Sequence, residues 1–177
     1  MNWRIERLRA DQIDGFHSLL SEVVAERVFL ATLTPPPIDR FRDSISRSIG
    51  TGGVFVGAHV GAEMVGCCEI QRFTAESRKH SGGLAMAVAK AWRRRGLGAA
   101  LMTEALTLAF AEGLERIDLQ VRDDNLAARR LYEKFGFQVE GLSRGALKVD
   151  GVAVNLLGMG LLCDEFRRHS SSDAVAR

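Results

Sequence analysis

The stretch Leu84-Ala-Met-Ala-Val88-Ala-Lys-Ala-Trp-Arg93-Arg94-Arg95-Gly96-Leu97-Gly98-Ala99-Ala-Leu101 decides the fold. The apolar run Leu84 to Val88 has the length of a buried strand, and a long apolar-faced helical pattern runs from Gly96 to about Ala111. A strand feeding a helix through such a turn aims the free N–H groups of the helix start, and the positive end of its dipole, at one point. Gly96 and Gly98 carry no Cβ, so an anion can approach the main chain. Arg93, Arg94 and Arg95 add fixed charge and planar donor forks suited to phosphate oxygens. These are the parts of a pyrophosphate cradle.

What is missing narrows the kind of cradle. A nucleotide-triphosphate loop needs Gly-Lys-Ser/Thr, and here Gly98 is followed by Ala99 and Ala100. A dinucleotide fingerprint needs a small third residue where Leu101 stands, and its first glycine sits directly after the strand, as Gly96 does not. The spacing Arg93-x-x-Gly96-x-Gly98 after a strand instead resembles the acyl-CoA signature of the GNAT superfamily of N-acyltransferases. Alone, it also reads as an ordinary helix start with a solvated basic turn.

A second segment, Asn125-Leu-Ala-Ala128-Arg-Arg-Leu131-Tyr132-Glu-Lys-Phe135-Gly136-Phe137, follows a strand pattern at Ile117 to Val121. It resembles the other signature of the superfamily, Asn-x-x-Ala-x-x-Leu-Tyr-x-x-x-Gly-Phe, at every one of these positions. Asn125 is a good N-cap, Ala128, Leu131 and Phe135 recur at helical spacing, and Gly136 suits a helix end. By itself Tyr132 reads as a packing tyrosine. Two signatures in this order are far more specific than either, and the resemblance covers residues 3–162.

Composition agrees. The 177 residues suit one domain, and 46% hydrophobic and 26% charged content are ordinary for a globular chain. A net charge of +2 gives no reason to expect nucleic acid or a membrane surface as partner. Cys67, Cys68 and Cys163 fit neither a disulfide framework nor metal spacing, so no metal and a cytoplasmic location are expected. No apolar segment approaches the ~18 residues of a membrane span, and the start of the chain lacks a signal core.

Along the chain, Trp3 to Leu8 reads as a strand, Asp11 to about Phe29 and Asp39 to Ile49 as helices separated by Pro35, Pro36 and Pro37, and Val54 to His59 with Met64 to Arg72 as a hairpin. Asp150-Gly151 marks a final hairpin turn. The resemblance implies a single-domain α/β (α+β) fold: a mixed, mostly antiparallel twisted sheet of about seven strands flanked by about four helices. The domain is expected over residues 1–163, with 164–177 as a mobile tail.

The resemblance also implies acetyl-CoA as co-substrate, a small-molecule amine as acceptor, and direct attack in a ternary complex; it is compatible with a homodimer. Carried over by position, Met86, Ala87 and Val88 supply main-chain contacts to the pantetheine arm, with the Val88 N–H as oxyanion donor. Arg93, Arg94, Arg95, Gly96, Leu97, Gly98 and Ala99 hold the pyrophosphate. Asn125 and Ala128 flank the cofactor arm, and Tyr132 is the general acid, a phenol of pKa near ~10 that keeps its proton at neutral pH.

The base departs from the pattern. Many relatives carry a carboxylate on the central strand, but Gly82 to Val88 holds none. Glu69 and His80 are the candidates, each also readable as a surface residue. An α-amine of pKa near ~7.8 is about one-seventh neutral at pH 7, a lysine only about one part in 2,500, so a weak-base site suits an α-amine. Glu76 to Ser81, Glu140-Gly141 and Lys148 to Gly151 look like bacterial enzymes that acetylate free L-amino acids, with Arg72, Arg78, Arg144 and Lys148 as candidate partners of a substrate carboxylate. Ribosomal-protein N-terminal and polyamine acetyltransferases are the alternatives, and a non-catalytic acyl-CoA-binding sensor is the alternative of another class. No acidic run favours a polyamine.

Overall fold

The structure is a computed structural model that describes residues 3–175, with side chains as far as 169. Seven strands form one sheet: β1 (Arg4–Arg7), β2 (Val54–Val60), β3 (Glu63–Arg72), β4 (Ser81–Val88), β5 (Arg116–Arg122), β6 (Gln138–Val149) and β7 (Val152–Leu162), in the order β1-β2-β3-β4-β5-β7-β6. Every pairing is antiparallel except that of β4 with β5. Five helices flank it: α1 (Ile13–Ala25), α2 (Ile38–Gly50), α3 (Leu97–Ala111), α4 (Leu126–Lys134) and α5 (Cys163–Val175). The mixed, mostly antiparallel sheet expected from the sequence is therefore present.

Helices cover both faces of the sheet, which is why β3 is buried almost end to end instead of alternating. Helix α3 lies on one face. Its Leu97, Leu101, Met102, Ala105, Leu106 and Ala109 are fully buried, and the helix lies against β1 to β4 with an apolar face wider than a single stripe. The helix approaches closely because Gly66 of β3 has no side chain; a Cβ there would lie 2.8 Å from Leu101 Cδ1. On the opposite face, Phe16 and Leu19 of α1 and Phe41 and Ile45 of α2 pack over Phe55, Cys67 and Ala87.

Several boundaries differ from the sequence reading for identifiable reasons. The helix expected from Asp11 to Phe29 begins as a 3-10 turn at Ala10–Gln12 and stops at Ala25, because Arg27 turns left-handed at φ 56°. The central strand begins at Ser81, where Gly82 and Gly83 conceal its propensity. The segment expected as a tail from residue 164 forms α5 as far as Val175, with its Phe166 ring 5.3 Å from that of Phe110; residues 176–177 lie outside the described residues. The Asp150-Gly151 turn is as read, with positive φ at both residues (50° and 84°), the signature of a two-residue hairpin loop.

One feature of the sheet positions everything else. Strands β4 and β5 pair only at Ser81–Gly83 with Arg116–Asp118, and then part. The β3–β4 ladder is bracketed by Phe73 N–H to Ser81 O and Ala89 N–H to Val65 O, with Cys67 opposite Ala87 and Glu69 opposite Ala85. Antiparallel alternation therefore ties Gly83, Ala85 and Ala87 to β3, while Leu84, Met86 and Val88 turn their backbone groups toward the gap left by β5.

The tight seat of α3 generates a stability prediction. Gly66→Val forces branched methyls against Leu97 and Leu101 and should destabilise the protein by about 1–3 kcal/mol through overpacking. Urea unfolding measures it, and a midpoint equal to wild type would mean that α3 is not pinned at this contact.

Candidate functional site

A cavity of about 520 Å3 fills the gap between the parted strands. Strand β4 forms one wall, the start of α3 the floor, and Asn125, Ala128, Leu131 and Tyr132 of the α4 segment the other wall. Gly96 precedes α3 at φ 84°, a conformation that a side chain would strain, and the first intrahelical bond is Ala100 N–H to Gly96 O. The N–H groups of Leu97, Gly98 and Ala99 are therefore orphans of the helix start, as an anion site requires. A Cβ on Gly98 would lie 3.3 Å from Leu131 Cδ2, so this glycine also keeps the passage between α3 and α4 open.

Of the residues expected to meet a cofactor, all but Arg95 and Leu97 line this cavity. The Leu97 side chain is fully buried in the core, leaving only its N–H for a ligand. The Arg95 guanidinium lies over the Trp92 ring, 5.3 Å from its centroid. Two further expectations need correction. The Ala87 main chain is bonded across to β3, so of the three residues expected to supply backbone only Met86 and Val88 offer it to the gap. Arg93 lines the cavity but is already occupied: its Nε donates to Val88 O at 2.8 Å, its two terminal nitrogens clasp the Glu26 carboxylate, and its guanidinium lies 4.5 Å from the Phe29 ring centroid. That pairing holds the Glu26 carboxyl below its usual range. Arg94, exposed and left-handed at φ 57°, remains the basic side chain turned to the cavity.

Asn125 caps α4, its Oδ1 accepting from Ala128 N–H at 3.2 Å, which leaves its side-chain NH2 for a ligand. The Tyr132 ring packs edge-on against Phe137 with centroids 5.8 Å apart, and burial raises its phenol above the ordinary range, so it holds its proton throughout neutral pH.

The two base candidates separate. His80 is exposed at the paired end of β4, where its carbonyl accepts from Glu115 and Arg116 N–H. At ~3.3 Å per residue it lies about 20 Å from Met86, so its expected place at the site is withdrawn. Glu69 is different. It stands beside Ala85 on β3, its Oε1 accepts from Gln71 Nε2 at 3.1 Å, and its Oε2 is buried without a partner. Burial pushes its carboxyl up to about 7, with the Gln71 hydrogen bond opposing. It borders a second cavity, of about 110 Å3, between the sheet and the α1–α2 pair. Leu30, Ala85, Met86 and Ala87 line both cavities, so the two meet across β4.

The arginines expected to bind a carboxylate are not gathered here. Arg72 donates to Lys79 O and Glu112 O, Arg78 pairs with Asp118 and covers the Phe73 ring, and neither borders either cavity, nor do Arg144 and Lys148. Sequence reading missed the α1–α2 wall of the second cavity, because those residues look like any amphipathic core face until the chain is folded. Among the described residues no cluster could hold a metal ion, and no helix is long and apolar enough to cross a membrane.

Comparison with known proteins gives concordant results. The profile described as "Acetyltransferase (GNAT) family" matches residues 19–137. An L-amino acid N-acetyltransferase of Escherichia coli K12, AaaT, is 31% identical over 88 residues, 49% of this chain and 54% of that protein. An N-alpha-acetyltransferase of Mycobacterium tuberculosis H37Rv, RimI, is 39% identical over 101 residues, 55% of this chain and 60% of that protein. The chain thus spans a little over half the length of these curated relatives. A crystal structure of a GNAT superfamily phosphinothricin acetyltransferase from Sinorhizobium meliloti, in complex with AcCoA, superposes with a TM-score of 0.85 at 18% identity, covering 92% of this chain and 89% of that one.

The Glu69 environment predicts a stability signature of its own. A carboxyl raised in the folded state binds a proton there that the unfolded chain has released, so folding stability falls as pH rises from the ordinary glutamate range through about 7. Glu69→Gln removes that loss. The variant should gain thermal stability over wild type at about pH 8 and little at about pH 5. A difference that does not change with pH would mean that Glu69 titrates normally.

Proposed function

The chain belongs to the GNAT acetyltransferase family, and from that premise we propose that it transfers an acetyl group from acetyl-CoA directly to the α-amine of a small molecule. The observation that carries this reading is the meeting of two unlike cavities at Met86. One offers unpaired backbone and a free helix start, and the other a buried carboxylate that titrates near neutrality. The residues present fit acetyl-CoA. The orphan N–H groups of Leu97 to Ala99, with Arg94, suit a pyrophosphate, and the free edge of β4 at Met86 and Val88 suits an amide-bearing arm. Bound there, acetyl-CoA supplies the thioester carbonyl that the amine attacks and the thiolate that departs.

The roles of the side chains follow from their protonation. Glu69 is about half ionised near neutral pH, and its ionised form takes the proton that the acceptor amine gives up, directly or through one water. The Val88 N–H faces the gap and meets the charge that develops on the carbonyl oxygen. Tyr132 keeps its proton until a basic thiolate needs it. Cys67 and Cys68 sit beside this chemistry, but burial raises both thiols far above neutrality. Neither supplies a thiolate nucleophile, which favours direct transfer over a covalent relay. The two relatives, an L-amino acid N-acetyltransferase and an N-alpha-acetyltransferase, also support an α-amine. A sensor that only binds acyl-CoA would need the cradle but not Glu69 in its buried setting.

Two substitutions test the reading. Gly98→Glu closes the approach to the α3 start and adds a repelling charge, so calorimetry on a variant with wild-type circular dichroism should show no acetyl-CoA binding. Retained affinity would refute the cradle. Tyr132→Phe keeps ring and packing while removing the proton, so kcat should fall by about 10²–10⁴-fold with acetyl-CoA affinity nearly unchanged. Near wild-type kcat, where chemistry limits turnover, would leave Tyr132 a packing residue.

A further inference from the structure

The cavity behind Glu69 has a chemistry at odds with a polar or doubly charged acceptor. Phe16 and Leu20 of α1, Phe41 and Ile45 of α2, and Ala87 of β4 enclose it. Ser44 and Gln71 are its neutral polar groups, and Glu69 is the single charged residue on its lining. We propose that the acceptor is a primary amine carrying one compact apolar group, a branched alkyl chain or a single aromatic ring, and that this cavity receives that group while Glu69 faces the amine. The proposal rests on the acetyl-transfer reading above and names the class of molecule that the site takes.

Three observations carry it. The first is size. The cavity holds about 110 Å3, the order of the ~150 Å3 apolar cavity that accommodates benzene, so it takes one compact group of the acceptor. The second is the unpartnered Glu69 Oε2, a buried acceptor atom that an ammonium or its N–H would satisfy. The third is the charge inventory around the cavity. No lysine or arginine lines it, and the nearby Arg42 of α2 is bound to Asp14 and Asp39. A substrate carboxylate finds only Ser44 and Gln71 as neutral donors, so it contributes little to recognition. A second ammonium would have to be desolvated among phenylalanines, which disfavours lysine and spermidine.

Ala85 and Ala87 fit the same picture. Their side chains lie on the α1–α2 side of β4, where a larger residue would fill the junction between the two cavities. The absence of a carboxylate on the central strand thus leaves room for the acceptor, while the carboxylate stands one strand away.

The test is an acceptor panel with acetyl-CoA, followed by release of free CoA: phenethylamine, isoamylamine, L-phenylalanine and L-leucine against glycine, L-aspartate, L-lysine and spermidine. The apolar amines should exceed glycine, aspartate, lysine and spermidine by 10-fold or more in kcat/KM, the scale that a few buried methylenes provide. Phenethylamine should fall within about 10-fold of L-phenylalanine, because the carboxylate has no cation to meet. Ser44→Trp, at an exposed position of α2, partly fills the cavity; it should lower kcat/KM for phenethylamine at least 10-fold and leave acetyl-CoA affinity unchanged. Release of CoA with the polar amines best, or an absolute need for the carboxylate, overturns this proposal while acetyl transfer stands. Should no amine release CoA, titration with phenethylamine alone decides: binding lost in Ser44→Trp upholds the apolar site and refutes transfer, and no binding overturns this proposal as well.

Discussion

The parting of β4 from β5 after Gly83 is the constraint on which the rest of the molecule depends. Each backbone group left unpaired inside a fold costs about 1–3 kcal/mol unless something else satisfies it. The gap is therefore held open against a force that would close it. Three features oppose closure. Arg93 occupies Val88 O from the side that β5 has vacated, α4 places Leu131 and Tyr132 between the strands, and α3 starts beneath them with its own free N–H groups. The result is a slot with backbone groups along one edge and helix-start donors at one end.

Alternation along β4 then assigns different tasks to neighbouring residues. Leu84, Met86 and Val88 turn their backbone to the slot, whereas Ala85 and Ala87 bond to β3 and carry small side chains toward the α1–α2 side. An acetyl group presented along one edge and an amine arriving from the other face would thus meet at Met86, which borders both cavities. Glu69, opposite Ala85 in the ladder, is the nearest carboxylate to that junction on the adjacent strand. Its burial raises the carboxyl and so costs stability at neutral pH.

How far the sequence reveals this follows from the range of each interaction. The cradle and the α4 segment are legible because their parts are local: Gly96, Gly98 and the α3 start adjoin one another, and Asn125 to Gly136 is one helix with its two ends. The strand count and mixed sheet follow from the family resemblance that these segments carry. The position of the base candidates is half legible, since Glu69 and His80 look equally suitable in one dimension and only strand register puts Glu69 beside Ala85 and His80 at the far end. The α1–α2 cavity is hidden, because Phe16, Leu20, Phe41 and Ile45 repeat with the spacing of any core-facing helix. Arg93 misleads for a related reason. Its position in the signature suggests a phosphate ligand, and its partner Glu26 is distant in sequence.

That partner explains how the two cavities stay in register. Glu26 caps the end of α1, and the segment after it, carrying Phe29 and Leu30, forms a wall of the larger cavity and, through Leu30, of the smaller one. The segment is secured at three points: Glu26 to Arg93, the Arg27 guanidinium to Asp150 in the β6–β7 turn, and Arg27 O to the Arg122 guanidinium at the end of β5. The exposed Arg27–Asp150 pair contributes little energy alone. Arg93 matters more, because one partly buried guanidinium ties together the last carbonyl of β4, the carboxylate of Glu26 just past α1 and the face of Phe29. A segment fixed to β4 at its last carbonyl is held in place by the protein's own contacts, and pre-organisation of that kind reduces the free energy lost to ordering a site on binding.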